Sequence, residues 1–137
     1  MSPAFAPSRR LLGSVYLAER KNQEALEQLR RLYESAPDNS LHAAYLAHAY
    51  GRAGNREKAR EIVEGLIVES KTRFVPAAHV AIGYVGTGDL EDAFTWLNRA
   101  FDERSQALTF LKIDPLFDAL KADARYPELL RRVGLAR

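Results

Sequence analysis

Apolar residues recur along most of the chain at intervals of three and four, the spacing that places side chains on one face of an α-helix. One such stripe consists of Ala59, Ile62, Val63, Leu66 and Ile67. No alternation of apolar and polar residues long enough for a β-strand interrupts the stripes. The pattern therefore predicts an all-α protein.

The stripes repeat with a period of 34 residues, and a period of this length is typical of proteins built from stacked helical units. The residues that return at this interval are Tyr16, Tyr50 and Tyr84, together with Ala25, Ala59 and Ala93. Each unit contains two apolar stripes with a short turn between them. We therefore expect three helix–turn–helix repeats, at about residues 6–39, 40–73 and 74–107, within a single domain of residues 1–137.

Glycine, proline and small polar residues mark where the predicted helices begin and end. Asn39 and Asn55 are each suited to cap the helix that follows. Gly54 suits the left-handed residue just past a helix, and Pro76 is tolerated in a first helical turn. These residues predict short connections between successive helices.

The unit resembles the tetratricopeptide repeat, in which a Leu-Gly pair, a tyrosine, alanines and a proline stand at fixed offsets. The first unit carries Leu12-Gly13, Tyr16, Ala25, Leu29 and Pro37. It departs from the family at Arg9, where a tryptophan is preferred, and the later units have Lys71 and Ser105 at the proline position. The resemblance covers about 100 residues and implies a right-handed α-solenoid.

Residues 108–137 do not continue the period. We expect them to form a C-terminal helical cap, because the last unit of a solenoid exposes an apolar face. Two short helices are predicted, at about residues 110–118 and 126–135. The residues expected to cover the apolar face are Phe110, Ile113, Leu116, Phe117, Leu120, Leu129, Leu130 and Val133. This tail is similar to the segment that ends tetratricopeptide arrays in many bacterial multidomain signalling proteins.

Composition narrows the classes of function. Twenty Lys and Arg against eighteen Asp and Glu give a net charge of +2, which is too small for a nucleic-acid surface. The chain has no cysteine, so thiolate chemistry and cysteine zinc sites are excluded. No apolar run reaches the roughly 18 residues of a membrane-spanning helix. Neither nucleic acid nor membrane is expected as a partner, and the lack of a secretory signal favours a cytoplasmic location.

The candidate chemical motifs have simpler explanations. Residues 83–88 superficially resemble a phosphate-binding loop, but they follow a predicted helix rather than a strand. His42 and His48 are six positions apart and point to different sides of a helix, and a facing pair of His48 and His79 is a minor alternative for a metal site. Asp114 precedes a proline, which is typical of a helix cap. We therefore expect no enzyme, no metal and no cofactor.

In tetratricopeptide repeats the first helix of each unit lines a concave groove. The resemblance implies that the partner-binding residues are Arg10, Ser14, Leu41, Tyr45, His48, Arg52, His79 and Ile82. Only Arg10 provides a cation where chaperone-binding members of the family clamp a carboxylate, so such a clamp is not expected. The largely apolar surface suits an amphipathic helix or an extended segment.

We accordingly expect a non-catalytic protein–protein interaction module. A structural alternative remains open at this point, in which Tyr45, His79 and Ile82 pack against neighbouring helices or against the chain's own tail. An alternative function is self-association. The proline-rich residues 2–7 offer no cap for the first repeat, so an apolar end near residues 11–15 can stack on another copy as in a scaffold.

Overall fold

The computed structural model describes residues 6–135, and that range contains helices and no strand. The α-helices are α1 (Ala6–Ala18), α2 (Asn22–Ser35), α3 (Ser40–Arg52), α4 (Arg56–Glu69), α5 (Ala77–Thr87), α6 (Leu90–Asp102) and α7 (Arg125–Arg132). Two 3₁₀ helices, Gln106–Phe110 and Pro115–Leu120, lie between α6 and α7. The prediction of an all-α fold is confirmed.

Helices α1 to α6 pack as three successive pairs, α1 with α2, α3 with α4, and α5 with α6. Neighbouring pairs contact each other through α2 and α3, through α4 and α5, and most extensively through α3 and α5. The aligned residues Ala25, Ala59 and Ala93 are fully buried. Their small side chains allow the paired helices to approach each other closely. The fold is a helical-repeat solenoid, as expected.

The polar residues between the helices act as caps. The Asn39 side chain accepts hydrogen bonds from the backbone N–H groups of Leu41 and His42, and the Asn55 side chain accepts one from that of Lys58. Both interactions satisfy donors that a helix leaves free at its start. Pro76 was expected inside the first turn of α5, but it precedes the helix with ψ at 132°, which is extended backbone.

Helices α3 and α5 approach each other most closely at two glycines. A Cβ atom added to Gly86 would lie 2.3 Å from the Cα atom of His48, and one added to Gly51 would lie 2.2 Å from the carbonyl oxygen of Gly86. The backbones are therefore in direct contact at this crossing, and neither position has room for a larger residue.

The segment from Gln106 to Leu135, here called the tail, contains α7 where the second short helix was expected, but two 3₁₀ helices in place of the first. It begins with the two 3₁₀ helices, and the second of these packs against α5 and α1. The tail therefore extends from the last helix pair back to the first. Leu116, Phe117, Leu120 and Leu129 are buried, as expected, whereas Phe110 and Ile113 are exposed and do not cover the last repeat.

Helix α7 fastens the end of the tail to α6. The Arg132 guanidinium donates a hydrogen bond to Asp102 at 3.1 Å and lies 4.5 Å from the centre of the Phe101 ring. The buried Tyr126 hydroxyl donates to the carbonyl of Leu111 at 3.0 Å. The first contacts join α7 to α6, and the second joins α7 to the segment between the two 3₁₀ helices.

Candidate functional site

The first helices of the three pairs share one side of the solenoid. This inner face consists of the sides of α1, α3 and α5 that carry Arg10, Tyr45 and His79. The second 3₁₀ helix of the tail packs on the inner face, so the groove expected there is partly filled by the chain itself. On this inner face, two clefts lie between the tail and helices α1, α3 and α5, with volumes of about 530 Å³ and 300 Å³.

The larger cleft lies between α1 and the tail. Helix α1 contributes Arg10, Leu11, Ser14 and Val15 to its wall. The tail contributes Phe110, Ile113 and Asp114, and Tyr45 from α3 closes the cleft between them. Because residues 10, 11, 14 and 15 share one side of a helix, α1 presents a continuous apolar ridge to this cleft, with one positive charge at its end.

The smaller cleft continues along the inner face. It is lined by Leu41 and Tyr45 from α3, by His79 and Ile82 from α5, and by Phe117 from the tail. Phe117 is buried and Ile82 is almost fully covered. Packed side chains therefore form part of the wall of the smaller cleft.

Six of the eight residues expected in the groove line one or both clefts: Arg10, Ser14, Leu41, Tyr45, His79 and Ile82. Arg52 lines neither, and its carbonyl oxygen accepts a hydrogen bond from Asn22 at 3.0 Å. His48 is fully buried, so it is a core residue and not the groove residue that was expected. The reason is the close α3–α5 crossing, which covers the face of α3 that carries His48.

Residues of the tail complete the site, and the periodic pattern gave no indication of them. Phe110 and Ile113 were expected to be buried in the cap, but they are exposed beside Leu11 and Val15 of α1. The available signal was the position of these two large apolar residues on either side of Lys112, in a segment with a break at Asp114-Pro115. That pattern is typical of a short turn with one side left open to solvent.

Arg10 and Asp114 give the site two opposite charges. Both residues line both clefts, and neither forms an ion pair with any residue in the described range 6–135. Burial raises the pKa of Tyr45, and the negative charge of Asp114 raises it further. The Tyr45 hydroxyl therefore stays protonated and neutral between the two charged groups.

His79 faces the smaller cleft as a neutral ring. Its Nδ1 atom is 2.7 Å from the Ser40 hydroxyl, and burial lowers its pKa to about 4. A neutral imidazole can donate a hydrogen bond to a hydroxyl or accept one from it. The Ser40–His79 contact joins the start of α3 to α5.

The glycine-containing segment 83–88 forms the end of α5 and its cap. Gly88 has a φ of 85°, the left-handed conformation of a helix end. The neighbouring Asp89 accepts hydrogen bonds from Arg60 at 2.9 and 2.8 Å and from the Thr87 hydroxyl at 2.7 Å. These bonds lower the pKa of Asp89, and its negative charge would repel a phosphate. The segment is therefore the last turn of α5 with its glycine cap.

Two further candidates have structural roles. The Asp114 side chain accepts a hydrogen bond from the backbone N–H of Leu116 at 3.0 Å, so it caps the second 3₁₀ helix as expected. Within residues 6–135 no group of three His, Asp or Glu side chains is placed to hold a metal ion. In the same range, none of the helices combines the length and apolar character needed to cross a membrane.

The comparison with known families agrees with the geometry of the helix pairs. Residues 16–71, from the end of α1 to just beyond α4, match the family model of the tetratricopeptide repeat. The match supports a protein of the tetratricopeptide-repeat type. Such repeats are generally protein–protein interaction modules. No curated protein and no solved structure matches the chain. The tail and the larger cleft's Phe110 and Ile113 lie outside the matched residues.

Proposed function

We propose that this protein is a non-catalytic interaction module that binds a protein partner in the larger cleft. The division into repeats at about residues 6–39, 40–73 and 74–107, with a cap from residue 108, is part of the same proposal. A partner segment that lies in the cleft would contact both the first repeat and the tail. The bound segment would be an amphipathic helix or an extended peptide with apolar side chains.

A single observation carries the proposal, namely the exposed apolar surface on both sides of the larger cleft. Leu11 and Val15 are exposed on α1, and Phe110 and Ile113 are exposed on the tail. Monomeric soluble proteins rarely group large apolar side chains on one solvated surface without a binding role. The cleft between the two sides has the depth to receive side chains of a partner, with a volume of about 530 Å³.

The tail restricts binding to this end of the inner face. Phe117 and Leu120 are buried against the solenoid, so a partner cannot occupy the place of the second 3₁₀ helix without breaking the core. The remaining open surface is next to α1. We therefore place the partner between α1 and the first part of the tail, rather than along the whole length of the groove.

Affinity capture with matched variants tests this proposal. Ile113 and Val68 are both large, apolar and highly exposed, at 73% and 63%, but only Ile113 lines the larger cleft. Ile113→Asp should reduce the amount of bound partner at least about tenfold, since a charge in the centre of an apolar contact is strongly unfavourable. Val68→Asp should bind as the wild type does.

The capture uses immobilised full-length chain and an extract of the cells that produce it, with bound proteins compared by mass spectrometry. Equal recovery of every bound protein by the wild type and by Ile113→Asp would overturn the proposal.

Self-association is the second candidate function, because Leu11, Leu12 and Val15 leave α1 with an exposed apolar side. In that case the protein recovered would be the chain itself.

A further inference from the structure

The two sides of the larger cleft have the composition of a self-complementary interface. Helix α1 contributes Leu11 and Val15 next to the positive Arg10, and the tail contributes Phe110 and Ile113 next to the negative Asp114. Each side therefore combines two apolar side chains with one charge, and the two charges are opposite. A surface of this kind can pair with a second copy of itself turned through a two-fold axis.

The two opposite charges favour a second copy of the chain over a partner that carries charge of only one sign. Arg10 and Asp114 form no ion pair within residues 6–135. An acidic peptide would pair with Arg10 and be repelled by Asp114, and a basic peptide would do the reverse. In a two-fold arrangement Arg10 of each copy meets Asp114 of the other, so two pairs form and every one of these charges is paired without a third component.

The chain also provides the helix that the cleft would bind. Leu11 and Val15 are four positions apart on α1 and form one exposed ridge. Such a ridge is the feature with which an amphipathic helix enters an apolar groove. Because α1 is itself one wall of the cleft, α1 of a second copy would lie between α1 and the tail, with Phe110 and Ile113 beside it.

We propose that the partner of the larger cleft is a second copy of this chain, bound through α1 with reciprocal Arg10–Asp114 pairs. The inference rests on the proposed function, since it names the partner of the same surface. It assigns the exposed residues of the tail a binding role: they extend the first repeat's contact surface. The homodimer would be of the reversible kind, because the exposed patch is small.

The experiment is light scattering after size exclusion, with the full-length chain at concentrations up to about 1 mM, where weak association becomes visible. The wild-type mass should rise with concentration from 15.4 kDa towards twice that value. Ile113→Asp should remain at 15.4 kDa, and Val68→Asp should behave as the wild type. Ile113 is so exposed that its replacement leaves the core intact.

A charge series tests the reciprocal pairs. Arg10→Glu should lower the association constant at least about tenfold, because two carboxylates would then face each other at both ends of the interface. Asp114→Asn keeps the side-chain oxygen that caps Leu116 and removes the charge. Combined with Arg10→Glu, it should restore part of the lost association, because the repulsion is gone. Failure of the double variant to associate better than Arg10→Glu would overturn the pairing.

Two further results would overturn the second-copy inference. One is a wild-type mass that stays at 15.4 kDa throughout the series. The other is association that Ile113→Asp leaves unchanged, because the interface would then lie elsewhere. A constant monomer mass would exclude only a second copy of the chain as the partner of the larger cleft. The proposed function fails on a different result, which is equal capture of every bound protein, the chain itself included, by the wild type and by Ile113→Asp.

Discussion

Among single residues, His48 has an environment that strongly opposes its charged form. It is fully buried between α3 and α5, and its Nδ1 atom is 2.9 Å from the carbonyl oxygen of Ile82. A carbonyl only accepts, so Nδ1 carries the hydrogen of the neutral ring and donates it. The Nε2 atom has no hydrogen-bond partner in the described part of the chain. Burial lowers the pKa of His48 to about 4.

The low pKa of His48 predicts loss of stability in acid. As the pH falls below the unfolded value of 6.5, the unfolded chain takes up a proton that folded His48 refuses until about pH 4. The free energy of unfolding therefore decreases across that interval, and is unaffected by this group above pH 6.5. Between pH 7.5 and pH 5 the His48 contribution should fall by roughly 2 kcal/mol, measured by urea denaturation at both values.

The variant that isolates this effect is His48→Asn. Its amide can still donate to the carbonyl of Ile82, but it does not titrate. Its free energy of unfolding should depend less on pH than that of the wild type, by the same amount of roughly 2 kcal/mol. His79, whose pKa is also lowered to about 4 by burial, is present in both proteins and cancels in the comparison. Parallel pH profiles of the two would contradict the assignment.

Among the helices, the close α3–α5 crossing predicts that a glycine-to-alanine substitution lowers stability at Gly86. The same substitution at Gly65, away from the crossing, should raise it. A Cβ atom at Gly86 would meet the backbone of His48 at 2.3 Å, whereas one at Gly65, in the middle of α4, would meet nothing within 4 Å. Gly86→Ala should lower the free energy of unfolding by about 1–3 kcal/mol or more. Gly65→Ala should raise it by about 0.5–1 kcal/mol, since alanine favours the helix. Chemical denaturation of both variants decides, and a Gly86→Ala protein as stable as Gly65→Ala would contradict the close crossing.

The helices of the repeats were predictable because their signals are local. The spacing of the apolar stripes, and caps such as Asn39 and Asn55, depend on residues within one or two turns. The route of the tail depends on contacts with α1, about a hundred positions earlier, and no periodic pattern encodes such contacts. The helix expected at about residues 110–118 is replaced by two 3₁₀ helices for this reason, since the tail follows the shape of the inner face, whereas α7 lies where the second short helix was expected.

The candidate site likewise contains residues that the repeat pattern located and residues that it did not. Tyr45 and His79 line the clefts because their positions in the first helices follow from the repeat register. His48 belongs to the same register and is nevertheless buried, because Gly51 and Gly86 bring α5 closer to α3 at that point. The exposure of Ile113 did not follow from the repeat period, since it results from the 3₁₀ turns that replace a helix. Sequence periodicity thus locates the inner face but not what covers it.

At the scale of the whole molecule, the tail makes the solenoid a closed structure in which its two ends depend on each other. The second 3₁₀ helix contacts α5 and α1, and α7 holds α6 through Arg132 and Asp102. Loosening of the tail should therefore loosen α1, although the two are far apart in sequence. An open solenoid, in which each repeat contacts only its neighbours, would confine the change to the last repeat.

Leu120→Ala distinguishes the closed from the open arrangement. Leu120 is fully buried, so its truncation should lower the free energy of unfolding by about 2–5 kcal/mol. It should also increase amide hydrogen exchange in α1, because the 3₁₀ helix that ends at Leu120 covers it. Leu11→Ala, a matched truncation at a residue that is 65% exposed, should change stability by less than about 0.5 kcal/mol. Faster exchange in the tail and α6 alone, with α1 unchanged, would mean that the tail caps only the last repeat, and the larger cleft would then lose its fixed second wall.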